Sequence, residues 1–228
     1  MNLLGTSLAV VAVILAIINW WSALVNKRRT FVISKPGVML VLLGLFIVMG
    51  GYQGKPYWFL LGLTFSLAGD VLLLFPAGWF LQGLVAFFLA QVAYSIGFNQ
   101  VLPPLLPALA GMLIFAGLFG LIYAALQQEI NKKPDLKKMR IPILGYAIML
   151  ETMTVSASLS LFKPEWPAIA AAFAVLGGML FLCSDMMLAY DRFVKRFKHA
   201  HILIMMTYHL AQFSIVAAVL VRLRLDSI

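Results

Sequence analysis

The sequence consists mainly of apolar stretches of about 20 residues, each long enough to cross the hydrocarbon core of a bilayer as an α-helix. Only 11% of the residues are charged and 63% are hydrophobic, whereas a soluble domain is about 25% charged. The pattern predicts an all-α, polytopic membrane bundle of eight transmembrane helices, forming a single transmembrane domain over residues 1–228. The predicted spans are Leu4–Leu24, Phe31–Gly50, Tyr57–Phe75, Trp79–Asn99, Pro104–Leu126, Ile141–Phe162, Trp166–Tyr190 and Ala200–Val221.

The positions of Lys and Arg predict how the chain is oriented. The loops after spans one, three, five and seven hold twelve of the 17 basic residues, and the opposite side holds four. Because positive side chains accumulate in cytoplasmic loops, both termini are predicted to lie outside the cytoplasm. The net charge of +9 comes from these short clusters, so no nucleic-acid partner is expected. The first stretch lacks the basic start and cleavage site of a signal peptide, and the minimal loops favour a bacterial inner-membrane protein.

A weak internal repeat relates the third and seventh spans. Each opens with Lys-Pro-x-Trp, at 55–58 and 163–166, and each carries an aspartate near its other end, Asp70 and Asp185. Spans four apart run in the same direction, so the repeat predicts a 4+4 parallel duplication about the membrane normal.

Asp70 is the only charged residue in the apolar stretch from Phe59 to Pro76. An ionised aspartate inside a membrane helix costs about 2.5–3.5 kcal/mol on insertion scales. Either Asp70 reaches the interface, since it lies near one end of the stretch, or it belongs to a functional site. The second interpretation is favoured because other polar groups share its depth.

Four predicted spans bring polar side chains into the cytoplasmic half of the membrane. With a helical rise of 1.5 Å per residue, their depths range from roughly 6 to 14 Å. Isolated side chains reaching for the interface would not share one layer, so the pattern predicts a common polar cavity. The residues concerned are Lys35, Asp70, Asp185, Tyr208, His209 and Gln212.

Two carboxylates and a cation in one cavity have a definite chemistry. Carboxylates held close together do not both ionise easily, so one would keep its proton while Lys35 favours the charged form of the other. A general acid beside a charged partner suits cleavage through an oxocarbenium-like transition state. The same pair suits a proton-coupled transporter or flippase of a small amphiphile. A third alternative is a protein without chemistry, in which Asp70 and Asp185 only hold helices together.

Other candidate residues carry weaker signals. His199, His201 and His209 are the only histidines, but two of them border a basic loop, so no metal site is expected. Glu151 lies near the middle of span six and either lines the cavity or is a neutral, hydrogen-bonded acid in a helix contact; the second interpretation is favoured. The methionines of the last three spans favour packing over an adaptable acyl-chain pocket.

Six stretches follow one another along nearly the whole chain: Lys35-Pro36, FSLAGDVLLL at 65–74, Gly83–Tyr94, Pro142–Tyr146, GGMLFLCSDMMLAYDRF at 177–193 and Tyr208-His209-Leu210-Ala211-Gln212. No single stretch is specific, but the ordered set is, because it places an aspartate in both spans three and seven. In this order the stretches resemble the lysoplasmalogenase family, which is called YhhN-like in bacteria.

The resemblance implies hydrolysis of the vinyl ether bond of lysoplasmalogens, giving a fatty aldehyde and glycerophospho-ethanolamine or -choline. Asp70 and Asp185 would then be catalytic and divide the acid and the cation-stabilising or water-activating roles. The implied partners are the lysophospholipid substrate and membrane lipids, with no cofactor and no obligate protein partner. Residues expected to bind the substrate or position water are Lys35, Tyr94, Tyr146, Ser184, Tyr208, His209 and Gln212.

One position departs from the family pattern. Where relatives often have histidine before the tyrosine of span four, this chain has Gln91. An amide does not transfer protons at neutral pH, although it donates and accepts hydrogen bonds. A base role at this position is therefore in doubt.

Overall fold

The computed structural model describes residues 3–75, 77–132 and 134–226, and this part of the chain is helical, without a strand. The predicted all-α class is therefore confirmed. Short 3₁₀ turns precede α4 and α6 and follow α6, and a π turn over Tyr190–Val194 follows α7. The eight helices are α1 (Leu3–Leu24), α2 (Arg28–Val48), α3 (Tyr57–Leu72), α4 (Phe80–Phe98), α5 (Leu105–Asn131), α6 (Arg140–Ser158), α7 (Ala168–Ala189) and α8 (Ala200–Asp226).

Within the described residues, six helices are long and apolar enough to cross a membrane, namely α1, α2, α4, α6, α7 and α8. The remaining two are shorter by this measure: α3 has 16 residues, and the apolar segment found in α5 covers Leu105–Ile114. The chain thus has the composition of a multi-pass membrane protein. The crossing of α3 and α5, and the 4+4 repeat, stay predictions.

The outer surface of α1 is apolar. Val10, Ile14, Ile17 and Trp21 are exposed, and their spacing of three and four residues places them on one side of the helix. In water such a stripe would be unfavourable, whereas lipid chains accommodate it. This surface is typical of a helix that contacts the bilayer.

Neighbouring helices in the chain form the most extensive contacts: α7 with α8, α3 with α4, and α1 with α2. α4 and α6 also pack together, α6 packs on α7, and α1 closes against α8. Small residues permit this proximity. A Cβ added at Gly177 of α7 would lie 3.0 Å from the backbone nitrogen of Ile215 and 3.1 Å from the carbonyl oxygen of Ala211, both in α8.

This arrangement places both aspartates near the ends of their helices. Asp70 lies in the last turn of α3, and Asp185 lies one turn before the end of α7. α3 packs between α2 and α4, while α7 packs between α6 and α8. The two carboxyl groups therefore have different sets of neighbouring helices.

Candidate active site

Asp185 accepts two hydrogen bonds from other helices. The hydroxyl of Tyr146, on α6, donates to Asp185 Oδ2 in a short hydrogen bond. The Gln91 amide, on α4, donates to the same oxygen at 3.3 Å and to the Tyr146 hydroxyl at 2.9 Å. Both donors converge on Oδ2, which leaves Asp185 Oδ1 available to another molecule.

A large cavity lies against this cluster. Its volume is about 760 Å³, which falls within the range of roughly 300–1,000 Å³ found for small-molecule sites. Asp185 and Tyr146 are both part of its wall. The wall is otherwise mostly apolar, and its side chains include Leu73, Leu84, Phe87, Leu150, Met186 and Phe193.

The cavity reaches the surface of the protein where α7 ends. Tyr190, the first residue of the π turn, and Phe197, three residues beyond its end, line this part of the cavity, and Tyr190 is exposed. Leu150, which is buried, lines the cavity on α6. An elongated amphiphile placed here would contact Asp185 while part of it stayed at the surface.

Asp70 lies in a second network, formed with α2 and α8. Lys35 Nζ is 3.2 Å from Asp70 Oδ1, and the Tyr208 hydroxyl donates to Oδ2 at 3.0 Å. The side chains of Asp70 and Lys35 are only 1% and 9% exposed. The contact between Lys35 Nζ and Asp70 Oδ1 is an ion pair. The expected Lys35–Asp70 proximity is thus present in the structure.

A further set of buried polar contacts ties α8 to its neighbours. The Tyr94 hydroxyl donates to Gln212 Oε1 at 2.7 Å, and the Gln212 amide donates to Ser66 Oγ at 3.0 Å. The indole of Trp20 donates to His209 Nδ1 at 3.1 Å. Because Nδ1 accepts, a neutral His209 carries its proton on Nε2.

Ser184, although next to Asp185 in the sequence, lies in a helix contact. Its hydroxyl donates to the carbonyl oxygen of Ile204 at 3.1 Å and joins α7 to α8. Successive residues of a helix point about 100° apart. Ser184 therefore faces α8 while Asp185 faces α4 and α6.

The sequence predicted one cavity for both carboxylates, and the structure corrects this. Asp185 lines the cavity, whereas Asp70, Lys35 and the polar residues of α8 are not part of its wall. The Tyr208 ring packs at 5.7 Å from the ring of Phe87, which does line the cavity. The two networks are therefore linked by aromatic packing. Depth along a helix gives the level of a side chain but not the direction in which it points.

Two residues of the networks were missed by sequence reasoning. Ser66 precedes Asp70 by one turn on the same helix face, a spacing that indicates a shared environment. Trp20 lies near a span end, where tryptophan usually marks the membrane interface. Nothing in the sequence therefore indicated its hydrogen bond to His209.

The remaining candidates lie elsewhere. The ring of His201 stacks on Phe31 at 5.9 Å, and Glu151 is half-buried on α6. Over residues 3–75, 77–132 and 134–226, no three His, Cys, Asp or Glu side chains are placed to hold a metal ion.

These features define a multi-span membrane protein with an acidic side chain in the wall of an apolar cavity. Comparison with known proteins identifies the group more closely. The chain belongs to the YhhN family, whose model matches residues 30–219.

Curated relatives support the predicted resemblance. The chain is 31% identical over 206 residues to the human protein named lysoplasmalogenase TMEM86B, covering 89% of this chain and 77% of the human one. It is 31% identical over 195 residues to rat lysoplasmalogenase TMEM86B, covering 85% and 71%. Human lysoplasmalogenase TMEM86A is 32% identical over 155 residues, covering 66% and 60%. No solved structure matches the chain significantly.

Proposed function

We propose that this protein is a membrane-embedded hydrolase that cleaves the vinyl ether bond of lysoplasmalogens. The products would be a fatty aldehyde and glycerophosphoethanolamine or glycerophosphocholine. The observation that carries the proposal is the position of Asp185 and Tyr146 in the wall of an apolar cavity of about 760 Å³. The relatives named lysoplasmalogenase support the same activity.

Asp185 is the proposed acid that contacts the substrate. Its Oδ1 delivers a proton to the β-carbon of the vinyl ether, and the electrons of the double bond form the new C–H bond. The α-carbon and ether oxygen become an oxocarbenium ion facing the carboxylate. Water adds to the α-carbon and returns a proton to Asp185. The hemiacetal hydroxyl then gives up its proton as the bond from the α-carbon to the glycerol oxygen breaks, and the glycerol oxygen takes a proton, so that an aldehyde and a free glycerol hydroxyl are formed.

Tyr146 and Gln91 position this acid. Both donate to Oδ2, which fixes the carboxyl plane and directs Oδ1 away from these donors. Gln91 fills this role through hydrogen bonding alone, without transferring a proton. Tyr146 lines the cavity and is the proposed contact for the ether oxygen or the attacking water.

Asp70 is the proposed charged partner. Its ion pair with Lys35 and its bond from Tyr208 hold it in the charged form, next to the aromatic layer that borders the cavity. A fixed negative charge in a low-dielectric interior stabilises a cation that forms nearby. The other polar residues predicted for the site act indirectly, by fixing the position of Asp70 or the packing of α8. They are Lys35, Tyr208, His209, Tyr94, Gln212 and Ser184.

In the proposed membrane arrangement, all eight helices cross the bilayer and form one transmembrane domain. Both termini lie outside the cytoplasm of a bacterial cell. α3 pairs most extensively with α4, as α7 does with α8, which supports the 4+4 repeat. At 1.5 Å per residue, α3 is about 24 Å long, so it needs the adjoining turns to cross a core of about 30 Å.

The test is aldehyde release from a lysoplasmalogen by the purified protein in detergent. Wild type is expected to release aldehyde, and Asp185→Asn is expected to lose at least about a hundredfold in kcat, since general acid catalysis contributes roughly 10²–10⁴. Gln127→Glu, a change of similar size on α5, serves as the folded control. Absence of aldehyde from wild type, or a normal rate in Asp185→Asn, would contradict the proposal.

A further inference from the structure

The surface end of the cavity carries a cation. Arg192 lies in the π turn that follows α7, and its guanidinium carbon is 3.7 Å from the centre of the Phe80 ring. Phe80 lines the cavity, as do Tyr190 and Phe193 on either side of Arg192. The exposed guanidinium therefore stands at the edge of the opening, held over an aromatic ring.

Nearby carboxylates are engaged with other groups. Asp191 Oδ1 accepts the backbone N–H of Phe197 at 3.2 Å. Glu129, on the α5 side of the cavity wall, pairs with Lys132. No ion pair joins Arg192 to a carboxylate within the part of the chain that the structure describes. A planar guanidinium in this position is suited to bind phosphate through two parallel hydrogen bonds.

The distance from this cation to the acid fits one class of ligand. Asp185 and Arg192 are seven residues apart, or about 10 Å along a helical segment. In a glycerophospholipid with a vinyl ether at the first glycerol carbon, phosphorus and the alkenyl β-carbon are separated by about seven bonds, or roughly 9 Å when extended. A phosphate on Arg192 would therefore bring the β-carbon close to Asp185 Oδ1.

We propose that Arg192 forms a phosphate subsite at the surface end of the cavity, which binds the head group of a single-chain glycerophospholipid and sets the depth of its ether bond. This inference rests on the proposed function of the same cavity. The phosphate stays at the membrane surface, the ether bond lies beside Asp185 and Tyr146, and the hydrocarbon chain occupies the apolar wall. The head group thus determines which bond reaches the acid.

The experiment compares two vinyl ether substrates that differ only in the head group. One is an alkenyl-glycerophosphoethanolamine and the other is the matching alkenylglycerol without phosphate. Arg192→Gln is expected to raise KM for the first substrate by about tenfold or more, which corresponds to the loss of a charge-assisted contact. Its KM for the second substrate, and kcat for both, should stay within twofold of wild type.

The matched control is Arg196→Gln, which removes a cation from the same loop; of the two arginines, Arg192 is the one whose guanidinium lies over a ring of the cavity wall. Arg196→Gln should leave both KM values unchanged, while Arg192→Lys should recover part of the loss. An equal rise of KM for both substrates in Arg192→Gln, no rise at all, or an equal effect of Arg196→Gln would overturn the subsite.

A binding measurement separates this inference from the proposed function. The probe is a saturated hexadecyl-glycerophosphoethanolamine, which has no vinyl ether and is titrated into protein in detergent. If wild type cleaves neither substrate, the proposed function fails. A tenfold weaker binding of the probe to Arg192→Gln than to wild type would then still support the subsite, and equal binding would overturn it.

Discussion

Lys35 and Asp70 form a buried ion pair, so each charge depends on the other for compensation. Removing one partner leaves an isolated charge in the interior, which costs about 3–5 kcal/mol, whereas replacing both is often neutral. The Lys35–Asp70 pair is therefore open to a test that separates its effect on stability from its effect on catalysis.

The single variants Asp70→Asn and Lys35→Met are expected to unfold at lower temperature in detergent than wild type. The double variant should recover most of the melting temperature because neither charge is left unpaired. Activity should stay at least about tenfold below wild type in Asp70→Asn and in the double variant, since the negative charge that stabilises the oxocarbenium ion is absent from both. Wild-type activity in the double variant would show that the pair is only structural.

At the scale of elements, the contact between α7 and α8 determines where Asp185 lies. A Cβ added at Gly177 would meet the side chain of Ile215 at 2.7 Å and, at 3.0 and 3.1 Å, two backbone atoms of α8 that cannot easily move aside. Gly44 of α2, by contrast, has no atom within 4 Å of an added Cβ. The two glycines offer a matched comparison.

Gly177→Ala is expected to lower the free energy of unfolding by about 1–3 kcal/mol, because the methyl group separates the two helices. Gly44→Ala should be neutral or slightly stabilising, as expected when glycine is replaced in an open helical position. Thermal unfolding of both variants in the same detergent measures the difference. Equal melting temperatures would contradict the close packing of α7 on α8.

At the scale of the whole molecule, the predicted orientation makes each loop accessible from one side only. In a Cys183→Ser background, Gln53→Cys should react with an impermeant maleimide on intact cells. Gly78→Cys and Lys198→Cys should react only after the membrane is opened. Labelling of Gln53→Cys and Gly78→Cys from the same side would show that α3 does not cross.

The sequence was sufficient for the helical class, the approximate bounds of the helices and the family, because these follow from the length and order of apolar stretches. It also singled out Lys35, Asp70, Asp185 and Tyr208, because their polar groups are costly in a membrane, and the family resemblance added Tyr146. It did not predict that Asp70 and Asp185 belong to different networks, because small differences in helix rotation decide which neighbouring helix a side chain contacts. The cavity, too, depends on packing between α4, α6 and α7, which no local pattern encodes.

The position of Asp185 in the wall of a mostly apolar cavity affects how the rate depends on concentration. If the lipid stays in its own leaflet while it binds, protein and lipid meet by diffusion within the membrane. The rate then depends on the mole fraction of the lipid in the membrane and not on its amount per volume of suspension. Diluting the substrate with inert lipid or detergent should therefore slow the reaction even when its total amount per volume is constant. Adding water to the suspension should leave the rate per protein unchanged.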